Sequence, residues 1–219
     1  MSVVPGILAH LLSRIYDGSL APEHLADLRK STLTDETIRA QHIRSVPPAM
    51  IAPLLGFDIS AIKSALLFPF RSPSFGFTDL ARIKVFPALT DAAGHSVKYL
   101  QPRGSHPRVY FIARCLREVL EGDDPLWIVE GEKKALAIAQ LGRPTIGICG
   151  VEGWHSRQSC LLLDDFDAIH LKDRVVELLP DSDFQTNPDV RRAVEGFGRA
   201  LRGRGAHPRV VLLPSELPR

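Results

Sequence analysis

The stretch that decides the fold covers residues 126–142 and reads LWIVEGEKKALAIAQLG. Its beginning, Leu126 to Val129, is apolar and predicts a buried strand. Lys133 to Leu141 predicts a helix that Gly142 ends and whose inward residues are Ala135, Leu136, Ile138 and Ala139. A short buried strand followed directly by such a helix is typical of parallel α/β sheets.

The rest of the C-terminal half continues this alternation. Thr145 to Ile148, Arg174 to Leu179 and Arg209 to Leu213 predict further strands. Asn187-Pro188-Asp189 predicts the start of a helix that runs to about Arg202, because it offers a capping Asn, a Pro in the first turn and an acid near the positive end of the helix dipole. We therefore expect an α/β domain with a parallel sheet and crossover helices.

The N-terminal half has a different pattern. Apolar residues at helical spacing predict a helix over residues 6–16, and Thr34 is expected to cap a second helix that ends near His42. Short β-rich segments separated by turns then predict a small, mostly antiparallel sheet, with strands at residues 66–70, 82–89, 97–100 and 108–112. The predicted division is a helical region (1–58), a basic β module (59–122) and an α/β domain (123–219).

The formal net charge of +2 is a cancellation of two unequal halves. Residues 1–120 hold 14 Lys and Arg against 9 Asp and Glu, whereas residues 121–219 hold 13 against 16. Within Lys63 to Arg117, nine basic side chains face only Asp79 and Asp91. This asymmetry indicates a part that holds a polyanion and a part whose chemistry uses carboxylates.

Composition excludes several classes of protein. A chain of 219 residues with 45% hydrophobic and 24% charged residues has an ordinary globular composition, which argues against wholesale disorder. The longest uncharged run, Ser45 to Phe57, has 13 residues and three prolines, too few and too interrupted to span a membrane. The N-terminus lacks the basic start of a secretory signal, and the widely spaced Cys115, Cys149 and Cys160 suit a reducing cytosol, so we expect a cytoplasmic protein with no membrane partner.

Three carboxylates follow two of the predicted parallel strands. Glu130 comes directly after the first strand, and Asp181 and Asp183 follow the strand that ends at Leu179. Ligands of open parallel sheets bind where strands end, and oxygen ligands suit Mg²⁺. If the segment is extended, an Asp-x-Asp also points both carboxylates the same way. The alternative is that these acids only shape a turn or the start of a helix.

Residues 129–142 together with Asp181-Ser182-Asp183 resemble a Toprim domain, the catalytic fold of bacterial primases, topoisomerases and some nucleases. The closer resemblance is to the Toprim-like domain of primase and replication proteins of plasmids, phages and integrated elements. It includes Lys133-Lys134, Gly150-Val151 with Trp154, and Asn187-Pro188, and it extends upstream through residues 28–38 and Lys98-Tyr99-Leu100. It covers roughly residues 25–213.

The resemblance implies a Toprim (Rossmann-like) sheet flanked by helices, and roles for single residues. Glu130 would be the general acid/base or metal-linked glutamate, and Asp181 and Asp183 the pair that binds Mg²⁺, with Mn²⁺ as an alternative ion. The implied function is primase-like nucleotidyl transfer on single-stranded or template DNA from nucleoside triphosphates, in a mobile element and with a replicative helicase as a possible partner. A Toprim nuclease acting on DNA or RNA is the second hypothesis.

Departures from the family pattern keep a third hypothesis open, a non-catalytic nucleic-acid- or protein-binding module. The family's Lys-x-Gly-x-Asp-Asp-like segment after the last strand has no counterpart before Arg219, and Glu177 interrupts a predicted buried strand. The chain shows no Cys/His zinc module before the basic region and no P-loop.

Candidate nucleic-acid contacts come from both halves. Basic residues expected to track phosphates are Arg71, Arg82, Lys84, Lys98, Arg103 and Arg108, with Lys133 and Lys134 at the start of the catalytic-domain helix. Tyr99 and Trp154 could stack on bases, although ordinary core contacts are an equal alternative for both. A solvated surface is the corresponding alternative for the basic residues.

Overall fold

The computed structural model describes Leu8, residues 20–156 and residues 161–212. The helix predicted over residues 6–16 lies outside these ranges except for Leu8, and Cys160 and Leu213 lie outside them as well. Two compact units divide the chain: Met1–Ser72 with Gly76–His106, and Pro73–Phe75 with Pro107–Arg219. The three-part division predicted from sequence stays a prediction about which parts fold independently.

The first unit is a four-stranded antiparallel sheet with helices. Its sheet order is β1-β2-β3-β4. In chain order its elements are α1 (Pro22–Arg29), α2 (Asp35–Ala40), β1 (Arg44–Val46), α3 (Pro48–Leu55), β2 (Ser64–Arg71), β3 (Phe77–Thr90) and β4 (Ser96–Leu100). The predicted cap of α2 is confirmed, because the Thr34 hydroxyl accepts a hydrogen bond from the Thr37 amide at 3.2 Å.

One face of this sheet forms an apolar core. Ala81, Ile83 and Val85 alternate along β3 and lie in one cluster with residues of β1, β2 and α3. Helix α3 begins with Pro48 and ends at Gly56, whose φ of +74° is the left-handed conformation in which glycine carries no Cβ penalty.

The opposite face is covered by α1 and is not an exposed basic surface. The ring of His24, a fully buried residue, lies 4.7 Å from the Phe86 ring, and Asp27 forms an ion pair with Lys84. Lys84 retains only 13% side-chain exposure. The expectation that the basic residues of β3 face solvent is therefore wrong for Lys84, because a helix that the strand pattern cannot reveal packs over that face.

The second unit contains a five-stranded sheet of order β5-β7-β6-β8-β9. The pairs β6–β7, β6–β8 and β8–β9 are parallel, as the alternation of strands and helices predicts, and β5 is antiparallel to β7. The elements are β5 (Tyr110–Phe111), α4 (Leu116–Glu121), β6 (Leu126–Glu130), α5 (Glu132–Ala139), β7 (Thr145–Ile148), β8 (Val175–Leu179), α6 (Pro188–Gly203) and β9 (His207–Val210). Three 3₁₀ turns lie at Ala113–Cys115, Asp164–Ala168 and Ser182–Gln185.

The strand predicted at residues 108–112 belongs to this second sheet, and its assignment to the basic β module is corrected. Tyr110 pairs with Gly147 and Phe111 with Ile146, and both aromatic residues are fully buried. Gly147 permits this pairing, because a Cβ there would lie 3.2 Å from the Tyr110 Cβ and 3.3 Å from the Ala135 Cβ. Sequence proximity to the basic segment hid this long-range partner.

Local interactions explain two irregularities of the second unit. Glu177, which interrupts the apolar pattern of β8, pairs in register with Arg209 of β9, and an Arg209 nitrogen lies 3.9 Å from a Glu177 oxygen. Asn187 caps α6 as predicted, since its side-chain oxygen accepts a hydrogen bond from the Asp189 amide at 3.0 Å. In the described parts of the chain, no helix combines the length and apolarity needed to cross a bilayer.

Candidate functional site

The carboxyl ends of β6 and β8 form the topological switch point of the second sheet. These strands are neighbours, but the chain leaves β6 through α5 toward β7 on one side and leaves β8 through α6 toward β9 on the other. The loops after the two strands diverge and leave a crevice, which is where open α/β sheets bind ligands. The predicted carboxylates follow these two strands.

Glu130 is the last residue of β6 and is half-buried. Gly131 follows with φ +86° and ψ 150°, a conformation that favours glycine, and its amide donates to the Ile148 carbonyl at 2.9 Å. This sharp turn starts α5 directly at the sheet edge and keeps Glu130 beside the end of β7. The predicted position of Glu130 at this edge is observed.

A small apolar cavity opens beside Glu130, and Glu130 is the charged member of its lining. The walls come from the ends of β6, β7 and β8 and from α6: Ile128, Glu130, Ile148, Val151, Leu178, Leu179, Pro180, Val194 and Phe197. Because Glu130 and Pro180 line the same cavity, the turn after β6 and the turn after β8 meet in space.

Asp181 and Asp183 follow β8 but do not point the same way by strand alternation. Asp181 has extended backbone (φ −70°, ψ 165°), whereas Asp183 lies inside the 3₁₀ turn Ser182–Gln185. The period-two argument fails because it applies only to extended chain. Asp181 is half-buried and forms an ion pair with Lys134 of α5, while Asp183 is exposed and its backbone carbonyl accepts from the Asn187 amide at 2.7 Å. The second aspartate thus also shapes the start of α6.

The structure does not gather the three predicted carboxylates into a closed metal cage. Across residues 20–156 and 161–212, no three His, Cys, Asp or Glu side chains form a group that could hold a metal ion. The donor set at this edge is nevertheless of the oxygen type that suits Mg²⁺. That ion is commonly held by one or two carboxylates together with waters and substrate phosphates, which needs no third protein ligand.

Two lysines occupy the first turn of α5. Lys133 is half-buried and Lys134 is exposed, with Lys134 paired to Asp181. Cations at this end of a helix oppose the helix dipole, which favours negative charge near the first turn. The two lysines therefore do not serve helix stability, and together with the amides of the turn they form a positive rim beside Glu130 and Asp181.

The loop after β7 closes one side of this edge. Gly153 is required by space, because a Cβ there would lie 2.7 Å from the Cys149 backbone. Trp154 is 7% exposed and stacks on Phe197, with ring centroids 5.1 Å apart and planes inclined by 10°. Its indole is part of the core, so a base cannot stack on Trp154 in this arrangement. His155 next to it is bonded to Glu152 (2.9 Å).

The basic residues of the first unit differ in how available they are. Arg71 donates to the Ala40 carbonyl at 2.7 Å, and Lys84 is paired with Asp27. Lys98 and Arg103 are exposed. Arg82 is half-buried and lies 5.0 Å above the Tyr99 ring, which is half-buried itself.

Arg108 belongs to the second unit, and its guanidinium is held by a buried carboxylate. Its Nε and Nη2 donate to Asp165 at 2.6–3.0 Å, and Asp165 also accepts from the Val109 amide at 2.8 Å. Asp165 is 5% exposed. The pair fixes the start of β5, so the grouping of Arg108 with the phosphate-tracking residues of the basic module is corrected.

The fold of the chain is similar to a solved structure of the Aquifex aeolicus primase that comprises zinc-binding and RNA polymerase domains. The two share 15% sequence identity at a TM-score of 0.64, over 98% of this chain and 56% of that chain. The fold is primase-like.

Sequence comparisons add a family but no activity. A family model described as a domain of unknown function (DUF3854) matches residues 117–218, which is less than half of the chain. No curated protein matches. This chain spans just over half the length of the solved primase that shares its primase-like fold.

Two buried residues near this edge were missed from the sequence. Glu132, the first residue of α5, is 2% exposed, and one of its carboxylate oxygens lies 3.9 Å from the Cys149 sulfur. Its spacing from Ala135, Leu136 and Ala139 places it on the buried face and was a usable signal. Asp165 carried no such signal, because its partners are more than 50 residues away in sequence.

Proposed function

We propose that this protein is a Mg²⁺-dependent, primase-like nucleotidyl transferase that acts on single-stranded DNA through a Toprim-type site at the switch point. The observation that carries the proposal is the meeting of Glu130, Asp181 and Lys134 at the ends of β6 and β8. The primase-like fold supports the same assignment by analogy.

Each residue at this edge has a role that its chemistry permits. Asp181 and Glu130, with Asp183 nearby in sequence, would hold Mg²⁺, which supplies charge stabilisation on phosphoryl oxygens when bound. Glu130 beside an apolar cavity is placed to accept or return a proton, while Lys133 and Lys134 would bind the phosphates of a nucleoside triphosphate. Mn²⁺ is an alternative ion with the same ligand preference.

The first unit would hold the template. Lys98 and Arg103 are exposed cations, and Arg82 with Tyr99 adds a ring and a guanidinium on neighbouring strands. Such a combination of cations and aromatic rings suits a single-stranded polyanion. The mobile-element setting and a replicative helicase partner extend this proposal from the sequence resemblance.

A primer-synthesis assay tests the proposal directly. Wild-type protein with Mg²⁺, a single-stranded DNA template and labelled nucleoside triphosphates should produce oligomers, and Asp181→Ala should reduce their yield by about a hundredfold or more, as expected when phosphoryl charge loses its main stabilisation. Asp164→Ala, an exposed carboxylate outside the two turns, is the matched control and should keep wild-type yield.

The same assay separates the other two hypotheses. Shortening of the template in the absence of nucleotides would replace primer synthesis with nuclease activity at the same site. A non-catalytic binding module has one observation in its favour, namely that the described residues contain no three-ligand metal group. It would be established by intact template binding with no product and with equal Mg²⁺ affinity in wild type and Asp181→Ala.

A further inference from the structure

The ion pair between Lys134 and Asp181 joins two segments that are 47 residues apart in sequence. Lys134 lies on the first turn of α5 and Asp181 directly follows β8, so the contact closes the crevice between the two diverging loops. An ammonium ion therefore lies against the carboxylate that is proposed as a metal ligand. The pair places a positive charge where a bound divalent cation would also place one.

The exposure of the pair decides how firmly it is held. Side-chain exposure is 56% for Lys134 and 39% for Asp181, so water screens the attraction and the ions can separate at little cost. The location of Lys134 in the first turn of a helix adds repulsion from the helix dipole. Such a pair can be exchanged for other partners and does not lock the crevice.

We propose that Lys134 is a tethered counter-ion of Asp181, which competes with the divalent cation in the absence of substrate and transfers to the substrate's phosphates when they bind. This inference rests on the proposed function, because it takes Asp181 as a metal ligand. It makes Lys134 a positioning residue that couples metal binding to phosphate binding. An anion that attracts the ammonium frees Asp181 for the metal.

The exchange predicts opposite changes in two affinities. Lys134→Gln removes the competing charge, so the protein should bind Mn²⁺ alone about threefold to tenfold more tightly than wild type. The same variant should bind inorganic triphosphate, measured without metal, about threefold to tenfold more weakly. Lys134→Arg keeps the charge and should keep both wild-type affinities within about twofold.

The measurements are Mn²⁺ binding by electron paramagnetic resonance of the free ion and triphosphate binding by calorimetry, with circular dichroism and thermal unfolding as folding checks. Lys133→Gln is the matched control, since it removes the same charge one residue away on the same helix turn. A smaller change in Mn²⁺ affinity for Lys133→Gln than for Lys134→Gln supports the specific pair.

The outcomes separate this inference from the proposed function. Equal Mn²⁺ affinities of Asp181→Asn and wild type would remove the metal role of Asp181 and with it the proposed function. If Asp181→Asn weakens Mn²⁺ binding but Lys134→Gln binds as wild type does, only the counter-ion proposal is overturned. It is also overturned if Lys133→Gln matches Lys134→Gln, or if Lys134→Gln shifts both affinities in the same direction.

Discussion

At the scale of single residues, Arg174 shows how one buried guanidinium organises a region without a carboxylate partner. The residue is 1% exposed and donates to the carbonyls of Glu118, Val119 and Asp124 at 2.7–2.8 Å, and to that of His170 at 3.2 Å. Two of these carbonyls lie in the last turn of α4, which lacks intrahelical partners for them. Burial lowers the pKa of Arg174, while Asp123 and Asp124 raise it.

Arg174→Met should destabilise the protein by about 3 kcal/mol or more, because buried carbonyls lose charged donors that methionine cannot replace. Arg174→Lys should recover only part of the loss, since one ammonium cannot reproduce the planar fork of donors. Chemical unfolding followed by circular dichroism measures both. Arg143→Met, at an exposed turn position, should stay within about 0.5 kcal/mol of wild type, and an equal loss for Arg143 and Arg174 would contradict this account.

The Cys115 thiol is a second residue whose role follows from burial. Desolvation raises its pKa to about 11, and its sulfur accepts from the Thr145 amide at 3.5 Å. A thiol with that pKa stays protonated at neutral pH, so Cys115 is a core residue rather than a nucleophile or metal ligand. This agrees with the expectation of a reduced, apolar cysteine.

At the scale of elements, His24 joins α1 to the first sheet. Its Nδ1 lies 2.7 Å from the Ser45 hydroxyl and its Nε2 lies 3.2 Å from the Ser64 hydroxyl. Ser64 donates to Glu23, so it accepts from Nε2–H and leaves Nδ1 to accept from Ser45. The network is therefore complete with a neutral ring.

Acidification should loosen this helix. Burial is the main cause that lowers the pKa of His24, with Glu23 and Asp27 raising it and Lys84 lowering it, and burial with Arg71 and Arg44 lowers the pKa of His42. Both pKa values are lower in the folded than in the unfolded protein, where they are near 6.5, so the unfolded chain binds more protons below that pH. The stability present above pH 6.5 is then lost as the pH falls.

We expect the unfolding free energy to fall between pH 6.5 and pH 5 by up to about 1.4 kcal/mol per pH unit for each histidine. The measurement is urea unfolding across this pH range. His24→Gln should make the curve less steep, because glutamine does not titrate, and His24→Gln with His42→Gln should make it shallower still. A slope that both variants leave unchanged would contradict the assignment to these rings.

The sheets illustrate what sequence patterns can and cannot supply. Strand–helix alternation predicted β6, α5, β7, β8 and α6 because each element's period is written into consecutive residues. The pattern could not predict that β5 pairs with β7, that α1 covers Lys84, or that Asp165 holds Arg108, because these partners are 30 to 60 residues apart. Glu130 and Asp181 were predictable for the opposite reason, since the strand ends that carry them are local features.

At the scale of the whole molecule, the charge asymmetry is spread unevenly over available side chains. In the first unit Lys98 and Arg103 are exposed, whereas Lys84 is already paired with Asp27. Only cations that exchange counterions for phosphates contribute to salt-dependent binding.

Affinity for single-stranded DNA should therefore fall as salt is raised, and Lys98→Glu and Arg103→Glu should each weaken binding and reduce the slope of log affinity against log salt by about 0.7 or more. Lys84→Gln, which removes a charge that is already neutralised, should change the slope less. Fluorescence anisotropy at several salt concentrations measures these slopes. Template binding that is independent of salt, or a larger effect at Lys84 than at Arg103, would contradict the assignment.

The short strand β5 has a consequence for the behaviour of the protein in solution. It covers the outer edge of β7, whose residues Thr145 to Ile148 are all buried, and it is held there by Asp165 through Arg108 and the Val109 amide. An uncovered apolar strand edge is a template for pairing with another chain. The Arg108–Asp165 pair is thus a latch against self-association, and a protein that loses it would be at risk of aggregating before it unfolds.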